Sequence, residues 1–291
     1  MNKFIALALA GCMTLSSTIT ASAALEPKPM LGLDQITETI LQNQSVENPD
    51  LILNDQGFAL GTPIETWGDT LYVSYWPLVQ ALYPDAVVAW NNDRAVVAAQ
   101  GLNMEIIPGK NYFMTNGRYF YLEQGVKTTD NVLLLPLPSL CGALGASLSL
   151  DQETGLPVVT AGDGPIASAD AAYPEDVLYW LSHIINAEAG NQPLDGKIAV
   201  GNVILNRVSS SLFPNTVYEV IFQRNQFTPV ANGSIHRTPN MESIIAAKLV
   251  LDGANTVDNA LFFMNPKTAS SRWMARNRTY MTTIGQHAFY A

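Results

Sequence analysis

The spacing of apolar residues divides the chain into two parts with different periodicities. From Leu51 to about residue 162, short apolar runs alternate with turn sequences such as Asn116-Gly117 and Asp130-Asn131. That rhythm is typical of β-rich structure, because strands are short and tight turns favour Asn, Asp and Gly. After a small, polar stretch at 163–172, apolar residues recur at helical spacing. The pattern predicts an α+β protein, with a β-rich module over 51–162 and a mainly helical domain over 173–291.

Helix boundaries in the second part are marked by residues that favour helix ends. Pro174-Glu175-Asp176 predicts the start of a first helix, because proline and acidic residues suit the first turn, and Gly190 predicts its end. Further helices are expected from Pro193 to Val208, after the capping box Thr216-Val217-Tyr218-Glu219, and from Thr238-Pro239 to Gly253. The segments expected to be extended are Gln226 to Val230, Leu261 to Met264 and Ala288 to Tyr290, which predict a small β-hairpin.

One pattern of predicted elements occurs twice in the β-rich part. The order strand, short helix, strand, polar turn, strand begins at Gly68-Asp69 and again about 60 residues later at Asp130-Asn131. Such repetition predicts duplicated units that share one core. Each half of the chain has its own apolar pattern, so we expect each to fold by itself.

The first 23 residues indicate export. A positive start at Lys3, an apolar run over 4–11 and Ala21-Ser22-Ala23 form the pattern of a cleaved signal peptide. The protein is therefore expected outside the cytoplasm, secreted or associated with the cell wall. Leu9-Ala10-Gly11-Cys12 is an alternative processing site, where a lipidated Cys12 would provide the one expected membrane attachment. Residues 24–50 are expected to be a polar tether.

Charge and thiol content exclude two classes of function. Residues 24–163 contain 16 acidic and 5 basic side chains, whereas residues 164–291 contain 9 of each. Neither part has a basic stripe, so no nucleic-acid partner is expected. Cys141 lies in an apolar run and is expected to be a buried core residue rather than a nucleophile.

Glu188 is the main candidate for chemistry. It stands in the last predicted turn of the first helix, just before Gly190. The negative end of the helix dipole and partial burial would both raise its pKa. A carboxyl group that stays protonated near neutral pH can donate a proton to a glycosidic oxygen.

The residues around Glu188 form a longer pattern. It comprises Ile185-Asn186-Ala187-Glu188-Ala189, Val203 to Val208, Phe213 to Val217, Phe227-Thr228, Ala260-Leu261-Phe262, Asn265-Pro266, Ile284-Gly285, His287 and Phe289. This pattern resembles the spore-cortex-lytic type of cell wall hydrolase over nearly all of 175–291. The resemblance implies a small lysozyme-like fold, peptidoglycan as partner, and cleavage between N-acetylmuramic acid and N-acetylglucosamine. It also implies lytic transglycosylase action with one essential glutamate, which corresponds to Glu188.

Gln192 is a departure from that family. The family usually carries a second acid four residues after the first, and this chain has Gln192 there. Ordinary glycosidases use two carboxylates, one as acid and one as base or nucleophile. A lytic transglycosylase needs only one, because the C6 hydroxyl of the sugar attacks in place of water. Gln192 therefore fits the transglycosylase interpretation, and it also fits reduced activity.

Six further residues are candidates for substrate binding, each beside a structural alternative. Thr228 would hydrogen-bond an N-acetyl group or lie in water on a strand. Aromatic side chains would line a sugar groove or pack in the core. Asn206 and Asn265 would bind substrate, or serve a helix end and a turn. The six residues are Thr228, Phe227, Asn206, Asn265, Phe262 and Trp273. His287 is expected to be a buried, hydrogen-bonded histidine.

The β-rich module resembles the copper amine oxidase N-terminal-like domain over about 65–161. Despite that family name, no metal is expected, because this region contains no histidine and no ligand cluster. Its aromatic residues, such as Trp67 and Trp90, would stack on sugars or pack in the core. The expected role is targeting or spacing.

Two other functions remain open. A zinc-dependent N-acetylmuramoyl-L-alanine amidase is disfavoured, because His183 and Glu188 are about 140° apart around a helix and no His-x-x-x-His spacing exists. A non-catalytic wall-binding protein is the second alternative, suggested by Gln192. No cofactor or metal is expected, and both spore cortex and vegetative wall fit as substrates.

Overall fold

A computed structural model of the chain describes residues 48–269 and 273–291. The predicted signal peptide, Cys12 and almost all of the predicted tether lie outside the described residues. Within the described ranges, none of the helices has the length and apolar character that crossing a membrane requires.

The β-rich part of the described chain contains short strands and two helices. The helices are α1 (Tyr75–Leu82) and α2 (Leu137–Ala143). The strands are β1 (Leu51–Leu53), β2 (Gln56–Phe58), β3 (Ile64–Trp67), β4 (Thr70–Ser74), β5 (Val87–Asn91), β6 (Arg94–Ala99), β7 (Leu102–Ile106), β8 (Tyr112–Thr115), β9 (Arg118–Tyr121), β10 (Lys127–Thr129), β11 (Val132–Pro136), β12 (Ser147–Leu150) and β13 (Pro157–Thr160).

These strands form three sheets around one hydrophobic core. The strand orders are β12-β13-β1-β2, β10-β11-β4-β3 and β5-β6-β7-β8-β9. All pairs are antiparallel except β1 with β13, where Ile52 lies opposite Val158. Both helices contribute fully buried side chains to the core, including Leu78, Val79 and Leu140. Cys141 is also buried there, as predicted.

The predicted internal repeat corresponds to a repeated order of elements in the structure. Strand, helix, strand, turn and strand occur as β4-α1-β5-β6 and again as β11-α2-β12-β13. The first strands of the two sets pair, with Ser74 opposite Leu134. The later strands join different sheets. Duplication of the unit stays a prediction.

The second part of the chain is mainly helical. Its helices are α3 (Ala169–Ala172), α4 (Glu175–Ala189), α5 (Leu194–Ser209), α6 (Val217–Phe222), α7 (Thr228–Ala231), a 3₁₀ turn (Ser234–His236), α8 (Met241–Leu251) and α9 (Trp273–Asn277). Its strands are β14 (Phe262–Met264), β15 (Tyr280–Ile284) and β16 (His287–Tyr290), which form an antiparallel sheet in the order β14-β16-β15.

Most helix boundaries follow the predicted signals. Helix α4 ends before Gly190 and α5 begins after Pro193, as predicted. Helix α6 begins after Thr216, whose Oγ1 accepts a hydrogen bond from the backbone N–H of Glu219 at 3.2 Å. Helix α8 begins later than predicted, because Asn240 rather than Thr238 provides the N-terminal cap.

One prediction about extended structure is wrong, and one is incomplete. Residues 226–230 are not a strand, because Phe227 is the last extended residue and Thr228 starts helix α7. Pro229 lies in the first turn of that helix, where its fixed φ angle and missing N–H are compatible with helix. The extended segments predicted at 261–264 and 288–290 are confirmed as β14 and β16, which pair with each other; β15, which was not predicted, pairs with the other edge of β16 and makes a three-stranded sheet.

Helices α4, α5 and α8 enclose the second hydrophobic core. Gly201 on α5 allows the close approach of the three helices. A Cβ atom at that position would lie 2.9 Å from side-chain atoms of both Ile185 and Val250. The core is continuous from α4 to Phe289 on β16.

The β8–β9 hairpin of the first part packs against the helical part. Arg118 on β9 forms an ion pair with Asp252, which follows α8. Asp252 also accepts a hydrogen bond from the backbone N–H of Tyr119 at 3.0 Å. Tyr121 donates its hydroxyl to Asp195 on α5 at 3.0 Å. The two parts therefore have separate cores but share a polar and aromatic interface.

The segment at 163–172 is held against the β-rich part. Asn116 donates its side-chain amide to the carbonyl of Ile166 at 2.9 Å, and its own carbonyl accepts from the N–H of Ala169 at 2.9 Å. The segment ends in helix α3. The boundaries at 162 and 173 stay predictions, but the connection between them is structured.

Candidate active site

Glu188 continues the buried stripe of helix α4. Leu181, Ile184 and Ile185 are fully buried on one side of this helix. Glu188 follows at positions +7, +4 and +3 from these residues, so it lies on the same side. Its side chain is only partly buried, because the helix ends one residue later. The stripe that anchors the helix therefore ends in a carboxyl group at the edge of the core.

Burial raises the pKa of Glu188 to about 7, from an ordinary value of 4.5. The cause is the loss of solvation for the ionised form. Within the described part of the chain, no side chain forms an ion pair with this carboxyl group. Near neutral pH a substantial fraction of Glu188 therefore carries a proton, which an acid catalyst requires.

The start of helix α8 holds the loop that follows Glu188. Asn240 caps α8 by accepting the N–H of Ser243 at 2.8 Å. The same side chain donates to the carbonyl of Gly190 at 3.3 Å. The backbone N–H of Asn240 in turn donates to Oδ1 of Asn186 at 3.1 Å. These bonds connect the last turn of α4, and Gly190 directly after it, to the start of helix α8.

Lys197 holds the other end of the same loop. Its ammonium group is buried, with 2% of the side chain exposed. Nζ donates to the carbonyl of Gln192 at 2.5 Å and to Oε2 of Glu242 at 2.5 Å. The loop from Gly190 to Gln192 is therefore hydrogen-bonded to both α5 and the start of α8.

Gln192 joins this loop to the tip of the β15–β16 hairpin. Oε1 accepts the N–H of Gln286 at 2.9 Å, and Nε2 donates to Oδ1 of Asn191 at 2.9 Å. Gly285, at the tip, has a φ angle of 58°, which favours glycine. A Cβ atom there would also clash with Oε1 of Gln192. The side chain at the position of the family's second acid is therefore buried in a structural contact.

Arg207 is a buried cation near the C-terminal sheet. Its Nε donates to the carbonyl of Leu261 at 2.8 Å, and Nη1 donates to Gln226 at 3.2 Å. Three phenylalanine rings surround the guanidinium, with centroids 4.8–5.5 Å from it; they belong to Phe213, Phe227 and Phe262. Burial lowers the pKa of Arg207 to about 10, so it stays charged at neutral pH.

The predicted binding residues from the middle of the domain have different surroundings. Thr228 is exposed at the start of α7. Phe227 is 6% exposed, which favours packing over sugar binding. Asn206 donates its amide to the carbonyls of Asp258 at 2.8 Å and Ala260 at 3.0 Å. Its donors are therefore used within the fold, which favours the structural alternative.

The predicted binding residues from the C-terminal region lie along one segment. Phe262 is half-buried on β14, with Arg278 4.5 Å from its ring centroid. Trp273 is exposed at the start of α9. Asn265 closes the turn after β14, where its Oδ1 accepts the N–H of Lys267 at 3.0 Å. Arg278 lies over the rings of both Phe262 and Trp273, and Asn265 follows Phe262 by three residues, whereas Thr228 and Asn206 belong to other elements.

Histidines in this part of the chain serve packing. His183 is buried, and its Nδ1 lies 2.6 Å from the carbonyl of Ile235. His287 is buried as predicted, but its Nδ1 has no hydrogen-bond partner among the described residues, contrary to the prediction. Burial lowers the pKa of His287, which favours the neutral ring. In residues 48–269 and 273–291, no three His, Cys, Asp or Glu side chains are grouped closely enough to hold a metal.

The sequence interpretation missed the residues that support Glu188. Lys197, Asn240 and Gln286 were not singled out, because each acts through a partner 5 to 94 positions away in the chain. Asn240 had a local signal, since Asn three residues before Ser243 is a favourable helix cap. Lys197 had a weaker local signal, because it is a lysine within an apolar helical stretch.

Comparison with known proteins identifies the second part of the chain. Residues 191–290 match the family described as Cell Wall Hydrolase, a match that begins three residues after Glu188. The spore cortex-lytic enzyme of Bacillus cereus is 42% identical over 120 residues, which is 40% of this chain and 45% of that enzyme. The enzyme of the same name from Bacillus subtilis is 35% identical over 127 residues, 44% of this chain and 41% of its own length.

A solved structure gives a similar alignment. The catalytic domain of the germination-specific lytic transglycosylase SleB from Bacillus anthracis is 39% identical. The match covers 41% of this chain and 97% of that domain, with a TM-score of 0.39. The chain thus spans less than half the length of the full-length relatives above and nearly all of this domain. The C-terminal part of this chain carries a cell wall hydrolase domain homologous to the spore cortex-lytic enzymes.

Proposed function

We propose that this protein cleaves the glycan strands of peptidoglycan between N-acetylmuramic acid and N-acetylglucosamine as a lytic transglycosylase, with Glu188 as its acid and base. The observation that carries the proposal is the raised pKa of Glu188, about 7, on a partly buried helix end where no residue of the described chain supplies a counter-charge. This is the state that protonation of a leaving glycosidic oxygen requires.

One carboxyl group can complete the proposed reaction. Glu188 donates its proton to the bridging oxygen as the bond to C1 of the muramic acid breaks. The C6 hydroxyl of the same sugar then attacks C1, and ionised Glu188 takes the hydroxyl proton. The products are a strand with a 1,6-anhydro end and a strand with a free hydroxyl, and Glu188 returns to its protonated form. Water is not consumed, so no second carboxylate is needed to activate it.

Gln192 is consistent with this single-acid chemistry. Its carboxamide is engaged with Gln286 and Asn191, and it is 5% exposed. In the helical part, several other acids also have structural partners. Asp195 accepts from Tyr121, Glu219 bonds to Thr216, and Glu242 pairs with Lys197. Their engagement supports Glu188 as the acid for the reaction.

The names of the relatives suggest the substrate. The relatives are called spore cortex-lytic enzymes, and the solved domain is described as germination-specific. Spore cortex peptidoglycan is therefore our proposed substrate, with vegetative wall as the alternative. This substrate lies outside the cytoplasmic membrane, in agreement with the predicted export signal at 1–23.

The β-rich part is proposed to be a duplicated copper amine oxidase N-terminal-like module that spaces or targets the enzyme. The repeated order of elements and the pairing of β4 with β11 support this interpretation. Trp67 and Trp90 are exposed on it, at 40% and 52%, so both rings are accessible to sugars. Proposed targeting would raise the local concentration of enzyme at the wall without adding catalytic groups.

The direct test is the reaction product. Purified peptidoglycan is incubated with the wild type and with Glu188→Gln, and the released fragments are analysed by mass spectrometry. We expect 1,6-anhydro ends from the wild type and a loss of at least about 10²-fold in rate for the variant, because it cannot transfer a proton. Reducing ends without anhydro ends would contradict the transglycosylase step.

A chelator distinguishes the amidase alternative. We expect EDTA to leave the rate unchanged, and released peptides to be absent from the products. Loss of activity with EDTA and recovery with zinc would favour the amidase instead. Tight wall binding with no cleavage by the wild type would favour the non-catalytic alternative.

A further inference from the structure

The last 33 residues differ in charge from the rest of the chain. From Asn259 to Ala291 the sequence contains four basic side chains and no acidic one, although the whole chain carries a net charge of −10. The other residues of the chain are therefore even more acidic on balance. A basic segment on an acidic protein indicates a local preference for anions.

Three of these basic side chains are described and exposed. Lys267 lies in the turn after β14, Arg276 lies on α9, and Arg278 follows α9. None of the three forms an ion pair with a carboxylate within residues 48–269 and 273–291. We call these three residues the basic surface. Its positive charge is not neutralised by neighbouring acids of the described chain.

Aromatic rings hold Arg278 in place. The guanidinium lies 4.5 Å from the ring centroid of Phe262 and 5.6 Å from that of Trp273. Stacking orders the guanidinium plane and leaves its N–H donors at the edge, where they can bind a carboxylate in a bidentate manner. The basic surface thus contains one oriented donor group, Arg278, and two further exposed positive charges.

Hydrogen bonds connect this segment to the loop that follows Glu188. Asn265, at the base of the segment, donates to Oε1 of Gln286 at 3.3 Å. The N–H of Gln286 donates to Gln192 at 2.9 Å. Gln192 is four residues after Glu188, so two hydrogen bonds link Asn265, two residues before Lys267, to the loop that follows Glu188.

We propose that the basic surface binds the carboxylates of the acidic peptide branches that peptidoglycan carries beside the scissile bond. This inference rests on the proposed function, and it adds recognition of the peptide to cleavage of the sugar chain. The peptide branches begin on the muramic acid that is cleaved, so their carboxylates lie close to any site that acts there. Phosphate-containing wall polymers are attached more sparsely, and their binding is an alternative outcome of the test.

The test compares two substrates that differ only in their peptides. Glycan fragments are freed of phosphate polymers, and half of the sample is then stripped of peptides with an amidase. The variant K267Q/R276Q loses two positive charges from exposed side chains that form no ion pair with any described residue. The control K110E changes the net charge equally at an exposed lysine on the β-rich part. Thermal unfolding verifies that both variants are folded.

We expect K267Q/R276Q to raise KM for the peptide-bearing fragments about three- to tenfold at low salt, because exposed charge contacts are individually weak. Its kcat and its KM for the peptide-free fragments should equal those of the wild type. The difference should disappear at high ionic strength. K110E should match the wild type on both substrates. A second variant, R278K, should raise KM about two- to threefold on the peptide-bearing fragments, since it keeps the charge but loses the bidentate geometry.

Two results would overturn the inference while the proposed function stands. One is an equal change in KM on both substrates, or none on either. The other is weaker binding of the variant only to walls that retain phosphate polymers, which would identify phosphate as the ligand. Absence of anhydro products from the wild type on both substrates would instead overturn the proposed function.

Discussion

At the scale of single residues, the position of Glu188 on helix α4 has two opposing effects. Its position on the apolar stripe of α4 anchors the helix end, while its ionised form is poorly solvated there. The raised pKa of Glu188 reflects how strongly this burial destabilises the ionised form. Catalytic groups commonly have such a cost, because the same burial that destabilises the charge prepares the proton for transfer.

Glu188→Gln should therefore change stability in a pH-dependent way. The folded pKa of about 7 lies above the ordinary value of 4.5, so the native state binds more protons than the unfolded state between these pH values. Wild-type stability should fall as pH rises through this window, and be lower than that of the variant above pH 7 by about 2–3 kcal/mol. At pH 4 the two proteins should be equally stable. Chemical denaturation at pH 4, 6 and 8 measures the difference, and a gap that is the same at every pH would contradict the assigned burial.

Gln192 should tolerate an acid without changing the reaction. Gln192→Glu keeps an acceptor for the N–H of Gln286, whereas Gln192→Ala leaves that N–H without a side-chain partner. We expect the Ala variant to be destabilised by about 1–3 kcal/mol and the Glu variant to keep the 1,6-anhydro product. Unfolding curves and product analysis test both expectations. If the Glu variant releases reducing ends, position 192 participates in catalysis after all.

At the scale of elements, the active end of α4 is fixed by two neighbours that lie far away in the chain. The start of α8 bonds to Gly190 and Asn186, and the β15–β16 hairpin bonds to Gln192. Asn240 serves both its own helix and the loop, so a single side chain couples the formation of α8 to the position of Glu188.

Two substitutions at Asn240 separate these roles. Asn240→Asp keeps the acceptor that caps α8 but loses the donor to Gly190, whereas Asn240→Ala loses both. We expect the Asp variant to keep its stability while kcat falls about three- to tenfold, because the carboxyl group of Glu188 is less precisely held. The Ala variant should also lose about 1–2 kcal/mol of stability. Wild-type kcat in the Asp variant would show that the bond to Gly190 has no positioning role.

At the scale of the whole molecule, the two parts are joined more closely than the polar linker suggested. The described residues belong to one compact unit, although they contain two hydrophobic cores. Tyr112, Tyr119 and Tyr121 of the β8–β9 strands pack against the helical core. The β-rich part is therefore packed directly against the helical domain. It is better regarded as a fixed support than as a module that moves freely on the 163–172 segment.

Arg118 tests this interface. The side chain of Asp252 is 7% exposed and accepts from Arg118, Tyr119 and Tyr173. Arg118→Ala would leave this buried carboxylate without a cation, and we expect a loss of about 2–3 kcal/mol. Arg94→Ala is the matched control, because the side chain of its partner Glu105 is 34% exposed, against 7% for Asp252, and we expect at most about 1 kcal/mol there. Equal effects in unfolding experiments would contradict a stabilising role for the interface.

Local features of the sequence were enough to predict helices α4, α5 and α6 and to single out Glu188 as the proposed acid. Helix caps, proline positions and the 3.6-residue period depend on neighbours within one turn, and these predicted α4, α5 and α6 correctly. The same stripe carries Glu188, so its place at the edge of the core was available from the chain itself. The short strand predicted at 226–230 failed for a local reason, since five residues are too few to distinguish a strand from a helical turn.

Only the tertiary structure decided how distant residues meet. Gln192 and Gln286 are 94 positions apart, and Arg118 and Asp252 are 134 apart. No local periodicity encodes such pairs, because they arise when complete elements pack and their remaining polar groups find partners. The same holds for the burial of Lys197, a cation that local sequence features would place in solvent. The chain thus specifies its helices and the position of Glu188, the proposed acid, locally, whereas the contacts that hold the loop after Glu188 come from packing.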